Sequence, residues 1–319
     1  VRLKEINFTG GKIEFIKDYS RNDRPESRLQ EIRISGKNTD GTFSLLKTII
    51  LGEGYFITPG SEYFKERNRL KLTEIIEKDL QGNTNKKYSF NYNEDVMLPA
   101  RTSLARDWWG YYNGQVGNSS LINSETITFE GYQYNVGSAN RAPNPTYMQA
   151  CILKRINYPT GGYTEFDYEP NFYELDSIAG GLRIKEIRDY EKAGTVPVKK
   201  IYHYGSGNKG LLLIPSEGLT NYKQIIDFTW WSQYCTPDCF GKRMIITGRP
   251  QYDLTGLNGA VVVYPEARIY EENSTTKPNG MQKLQFKAYA ETIIGVDRAY
   301  CNGRFQLNAP DQTTEEIVW

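Results

Sequence analysis

Two stretches far apart in the chain repeat one pattern, and that pattern admits little besides paired strands. In Cys151–Tyr190, Leu153 and Ile156 bracket an extended run and Pro159-Thr160-Gly161-Gly162 follows. Beyond it Thr164, Phe166 and Tyr168 alternate with Tyr163, Glu165 and Asp167. Alternation with period two marks a strand that buries one face. Proline pre-sets φ at the reversal, and Gly161 and Gly162 tolerate the positive φ of a tight hairpin. After a loop, Gly180-Gly-Leu-Arg-Ile-Lys185 opens a further strand.

The start of the chain carries a weaker copy. Leu3-Lys-Glu-Ile-Asn-Phe8, Thr9-Gly10-Gly11 and Lys12-Ile-Glu-Phe15 answer Leu153-Lys-Arg-Ile-Asn-Tyr158, Thr160-Gly161-Gly162 and Tyr163-Thr-Glu-Phe166. The offset is 150 residues before the turn and 151 after it, Pro159 being the extra residue. Arg28–Arg33 answers Leu182–Arg188, and Leu46–Ile49 answers Val198–Ile201. A partial third echo runs through Leu72–Ile75 and Lys86–Phe90. Hairpins resemble one another by composition, but elements that recur in one order indicate a repeat. Tyr63–Leu80 mixes helical composition with strand and reads mostly as strand.

These patterns predict an all-β fold: an antiparallel hairpin-repeat sheet, open or shell-forming, in halves 1–92 and 151–319. Residues 93–150 break the alternation. Asp107-Trp-Trp-Gly-Tyr-Tyr-Asn-Gly114 and Asn140-Arg-Ala-Pro-Asn-Pro145 read as a long insertion rich in aromatics and turns. Loops of that length are functional or disordered, and the density of Trp and Tyr argues against disorder.

A chain of 319 residues can bury a sizeable core, as one large all-β domain or two ordinary ones. Its net charge of +1 gives no global field toward nucleic acid or an anionic membrane. The longest apolar runs, such as Gly210–Pro215, are too short for a transmembrane segment. Val1 and Glu316-Ile-Val-Trp319 read as the ends of a segment of a longer protein, so missing targeting signals say little about location.

Catalytic patterns are sparse. His203 is the sole histidine and lies in the alternating run Val198–Tyr204, which suits a structural role. Gly205-Ser-Gly-Asn-Lys-Gly210 matches a dinucleotide fingerprint as a string, but the segment after it is short and strand-like, where that site needs a helix N-terminus. Asp107, Glu165, Asp167 and Glu169 have the type for glycoside hydrolysis, though acidic residues are too many for a pairing to mean much. Cys235 and Cys239 are spaced for a local disulfide or half a metal site; a zinc site needs about four ligands, so no metal or other cofactor is expected. Trp108, Trp109, Tyr111, Tyr112, Trp230 and Trp231 could stack sugar rings, or could pack as core and lid. Asp176-Ser177-Ile178 is similar to a short O-glycosylation signal of bacterial surface proteins, and Asn118-Ser-Ser120 and Asn273-Ser-Thr275 are N-glycosylation sequons.

The block Tyr147–Glu169 resembles the YD/RHS-related repeat region of large secreted surface proteins of Bacteroidota. The Asp107–Gly114 and Asn140–Pro145 stretches, the Gly180–Lys185 strand and the Val262–Phe286 region fit the same likeness. The resemblance implies hairpins coiled into a long β-sheet shell, export by the type IX route and surface display, with no catalytic set to carry over. Irregular spacing and the large insertion depart from regular repeats and favour an open sheet. The expectation is a non-enzymatic extracellular scaffold segment for adhesion, binding or effector encapsulation. Its partners would be the remainder of its own chain, surface glycans or another surface protein. The alternatives are a glycan-binding module built on the tryptophan-rich loops and a carboxylate-based carbohydrate-active enzyme.

Overall fold

The computed structural model describes residues 3–59, 63–174, 177–212, 223–230, 234, 239–248, 260–272, 280–287, 298–301 and 304–307. Six strands lead: β1 (Glu5–Phe8), β2 (Gly11–Asp18), β3 (Arg28–Lys37), β4 (Phe43–Ile57), β5 (Asn68–Lys78) and β6 (Thr84–Tyr92). A one-turn helix, α1 (Phe64–Arg67), joins β4 to β5, so the Tyr63–Leu80 stretch is mostly strand as expected. The insertion carries the hairpin β7 (Glu125–Phe129) and β8 (Tyr132–Val136) and the helix α2 (Pro145–Met148). Asn144 caps α2, its side chain accepting from the Thr146 and Tyr147 N–H groups, with proline in the first turn.

The second half follows as β9 (Leu153–Asn157), β10 (Tyr163–Glu174), β11 (Ser177–Tyr190) and β12 (Val198–Tyr204). A second excursion holds β13 (Leu211–Leu212), β14 (Lys223–Trp230), β15 (Cys239–Ile246) and β16 (Val262–Val263). The chain then returns through β17 (Glu266–Glu272) and β18 (Gly280–Gln285), and β19 (Arg298–Cys301) pairs with β20 (Arg304–Leu307).

Twelve strands make one antiparallel sheet in the order β1-β2-β3-β4-β5-β6-β9-β10-β11-β12-β17-β18. Strands β1–β4 and β9–β12 meander in the same order, which is the arrangement the repeat predicts. Pairing of β6 with β9, through Ser89 opposite Asn157 and Phe90 opposite Ile156, fuses the two expected halves into a single sheet. Among the described residues, β1 and β18 are its outer strands and do not meet, so the sheet is open.

The glycines at the two matching turns act differently from the sequence expectation. Gly161 does take a positive φ, +90°, at the turn where its N–H donates to the Tyr158 carbonyl. Gly10, Gly11 and Gly162 are not in that region of φ. Gly11 and Gly162 are instead buried because backbone comes close: an added Cβ would lie 2.2 Å from the Ser35 oxygen at Gly11 and 2.7 Å from the Tyr190 oxygen at Gly162. Equivalent glycines thus meet a carbonyl of the next strand or its end in both copies. Gly11→Ala should cost about 2–3 kcal/mol and Gly162→Ala about 1–2 kcal/mol, because backbone must shift. Gly117→Ala, with open space around it, should be neutral in the same urea titrations. Equal midpoints for all three would remove the steric account.

Residues opposite one another across strands share a face, so register decides what each face presents. One face is apolar across much of the sheet. Ile6, Ile13 and Ile34 lie in one row, Phe15, Ile32 and Ile49 in another, and Leu51, Ile75 and Tyr88 in a third. Phe90 opposite Ile156, Phe166 opposite Ile187 and Tyr202 opposite Ile269 continue it. These side chains are half-exposed, and Ile6 is 42% exposed. The opposite face is largely charged: Arg188 pairs with Asp167 at 2.6 Å, Glu186 at 3.1 Å and Glu165 at 3.3 Å, and Arg155 pairs with Glu165. The alternation expected after Gly162 carries through Tyr168, whose ring centroid lies 6.5 Å from that of Phe166; the register shift at Asp167/Tyr168 skips Lys185 of β11.

The small buried core lies where both excursions meet β10 and β11. Ala179, Val261 and Val262 are buried together, with Trp109, Tyr173, Leu212 and Tyr264 packed around them.

Candidate functional site

The insertion is docked through a network of polar contacts around Asp107 and Arg141. The Asp107 backbone N–H donates to the Tyr111 carbonyl at 2.8 Å, and its Oδ1 accepts from the Trp109 N–H at 3.0 Å and the Tyr111 N–H at 2.9 Å. This side-chain-closed turn is what a short carboxylate before Trp-Gly-Tyr favours. Asp107 is 0% exposed, and its Oδ2 has no hydrogen-bond partner. The turn sits on Gly180, where an added Cβ would lie 2.7 Å from Trp109 Cβ and 3.0 Å from Asp107 Oδ2. Desolvation raises the Asp107 pKa to about 6, although the N–H groups of Tyr111, Trp109 and Gly110 and the charge of Arg141 pull the other way.

Arg141 clasps this turn. It is 4% exposed and stacks over the Trp108 ring at 4.9 Å. Nη2 donates to the Asp107 carbonyl at 2.7 Å and the Trp108 carbonyl at 3.4 Å. Nη1 donates to the Leu121 carbonyl at 3.2 Å and to the Gly248 carbonyl, in the second excursion, at 2.9 Å. Lys242 of β15 adds an ion pair at 3.3 Å to Glu130, at the tip of the β7–β8 hairpin. The two excursions therefore hold each other above β10 and β11.

This packing decides most of the aromatic candidates. Trp109 packs against the core, Trp108 lies under Arg141, and Tyr112 packs edge-on against Tyr147 at 5.2 Å. Tyr111 stays partly exposed beside Gly181. The two tryptophans thus sit in different surroundings, Trp109 against the core and Trp108 under Arg141. Trp230 ends β14 opposite Cys239, and Trp231 and Cys235 lie outside the described residues, as do Asp176 and the sequon Asn273-Ser-Thr275. Cys239 is disulfide-bonded and Cys151 is free.

Of the carboxylates considered for hydrolysis, Glu165 and Asp167 share Arg188, while Glu169 and Asp107 lie elsewhere. Glu165 and Asp167 are held by arginines on the charged face, Glu169 by Arg183 at 2.8 Å, and Asp107 is sealed against Gly180. His203 is exposed on β12 with its ring edge-on to Tyr270 at 5.3 Å. A 3-10 turn, Ser206–Asn208, and then the two-residue β13 follow Gly205, so no helix N-terminus faces that loop. Among the described residues no group of His, Cys, Asp and Glu is placed to hold a metal ion. No described helix is long and apolar enough to cross a membrane.

A second polar centre was not anticipated from the sequence. Asp23, 2% exposed, receives Arg21 Nε and Nη2, each at 2.8 Å, the Leu70 N–H at 3.3 Å and Arg101 Nη2 at 3.2 Å. Burial works to raise its pKa, but the hydrogen bond from Arg21 and the remaining contacts outweigh it and hold the carboxyl below its usual range. Above this centre opens a cleft of about 980 Å³ lined by Arg21, Asn22, Arg24, Pro25, Tyr63, Lys65 and Asn68. The signal in the sequence was Arg21-Asn-Asp-Arg24, two arginines flanking an aspartate in a turn-rich loop. Its partners are 40 and more residues away.

Fold and site together define an all-β protein built on one long antiparallel sheet with polar-docked excursions. Comparison with protein-family models, with curated proteins and with solved structures found no match.

Proposed function

We propose that the chain is a non-enzymatic β-repeat scaffold segment of an extracellular or cell-surface protein, whose apolar sheet face is covered by further parts of its own longer chain. The observation that carries this is the apolar face itself. Rows of Ile, Phe and Leu run from β1 through β11, yet the residues that form them stay half-exposed. Apolar patches of that extent mark a surface that another layer covers. The charged face, with its arginine–carboxylate ladder, suits the side left to water. Support also comes from the carboxylates: Glu165, Asp167 and Glu186 are neutralised together on the Arg188 guanidinium, Glu169 is paired with Arg183, and Asp107 is sealed.

Cysteine labelling tests the reading. Ile32→Cys and Ile49→Cys should react readily with a maleimide in the isolated 319-residue chain. In the protein as it occurs on its cell the same positions should be protected by about tenfold or more. Equal reactivity in both settings would sink the proposal.

A further inference from the structure

The cleft above Asp23 has a composition that the scaffold reading does not use. We infer that it binds an acidic oligosaccharide, with a uronic carboxylate on Arg21, Arg24 and Lys65 and a sugar ring on Tyr63. Three observations carry this. First, Arg24 and Lys65 line the cleft, are exposed and have no ion-pair partner among the described residues. Among the described residues no carboxylate lines the cleft. Asp23 is turned inward, closed off by Arg21, Arg101 and the Leu70 N–H.

Second, that buried carboxylate presets the recognition group. With Nε and Nη2 of Arg21 on Asp23, the planar guanidinium leaves Nη1 on its opposite edge, and Nη1 makes no hydrogen bond among the described residues. A fixed fork loses little freedom on meeting a carboxylate.

Third, the space is too large for a lone inorganic anion, and at about 980 Å³ it falls at the upper end of small-molecule sites. Tyr63 and Pro25 offer flat apolar surface to pyranose C–H groups, and the amides of Asn22 and Asn68 suit hydroxyls. An extended acidic peptide would want an open strand edge, and beside the cleft the edge of β5 away from β4 is already occupied: the Leu70 N–H donates to Asp23 and the Asn68 carbonyl accepts from Arg101.

Isothermal titration of the whole chain with oligogalacturonate tests the inference, with a neutral maltooligosaccharide and poly-glutamate as the other arms. Oligogalacturonate should bind, more weakly as salt rises, and the neutral sugar should not. Arg24→Ala/Lys65→Ala should weaken binding by about tenfold or more, and Tyr63→Ala should weaken it separately. All three residues are exposed, so urea midpoints should stay at the wild-type value. Wild-type affinity in these variants, no uronide binding at all, or poly-glutamate bound as tightly as oligogalacturonate would each overturn the assignment.

Discussion

Arg141→Ala should lose about 3–5 kcal/mol of stability, the scale seen when one partner of a buried charged network is removed. The truncation removes hydrogen bonds to four carbonyl groups at once, those of Asp107, Trp108, Leu121 and Gly248, of which Asp107 keeps the Gly110 N–H, and uncovers the Trp108 ring. It also takes away a positive charge that favours ionised Asp107. Because Arg141 is the clasp between two excursions and not part of the sheet, the loss should be local first. Hydrogen exchange should quicken across residues 105–113 and 121–141 while amides of β2 to β4 keep their protection. Arg141→Lys keeps the charge but cannot span the same carbonyls, so it should fall between alanine and wild type. An unchanged urea midpoint for Arg141→Ala would show that Trp109 and the small apolar core hold the insertion unaided.

The contrast between sheet and excursions shows which physical facts are local in the chain. Alternation is a property of neighbouring residues, so Thr164 and Phe166 revealed their strand and face, and Leu3–Phe15 revealed its likeness to Leu153–Phe166. The fusion of the two halves was less visible. It depends on β6 finding β9 across the 60 intervening residues, 93–152, and nothing in Phe90 alone names Ile156 as its partner. The role of Gly162 was misjudged for a related reason: glycine permits both positive φ and close approach, and only the position of the Tyr190 carbonyl tells which one is used. The polar centres were the hardest to read. Asp107 and Arg141 are 34 residues apart and Asp23 and Arg101 are 78 apart, so one-dimensional spacing does not join the members of either centre. Arginine and aspartate are ordinary surface residues by type; burial, which makes them structural, is decided by what folds over them.

Asp107 should make stability fall as pH rises from about 4 to about 6. Its carboxyl is buried, one oxygen lacks a hydrogen-bond partner, and desolvation lifts its pKa from 3.8 to about 6. A folded-state pKa above the unfolded one means that the native protein holds the proton more tightly. The linked stabilisation is complete below the unfolded value, disappears as pH passes through the folded value, and amounts to about 3 kcal/mol. Groups of opposite sign act elsewhere on the scale. Asp18, Asp23, Asp40, Asp79, Glu165 and Glu266 have lowered pKa values, so their contributions are present above the usual carboxylate range and vanish on acidification below it. The window from about 4 to about 6 therefore belongs mainly to Asp107. Asp107→Asn retains an oxygen for the Trp109 and Tyr111 N–H groups but cannot ionise, so it should flatten the profile in that window and equal or exceed wild type at pH 7. Chemical denaturation at half-unit pH steps gives the comparison. Parallel curves for the two proteins would mean that Asp107 is hydrated or paired in solution and that the sealed turn against Gly180 does not persist there.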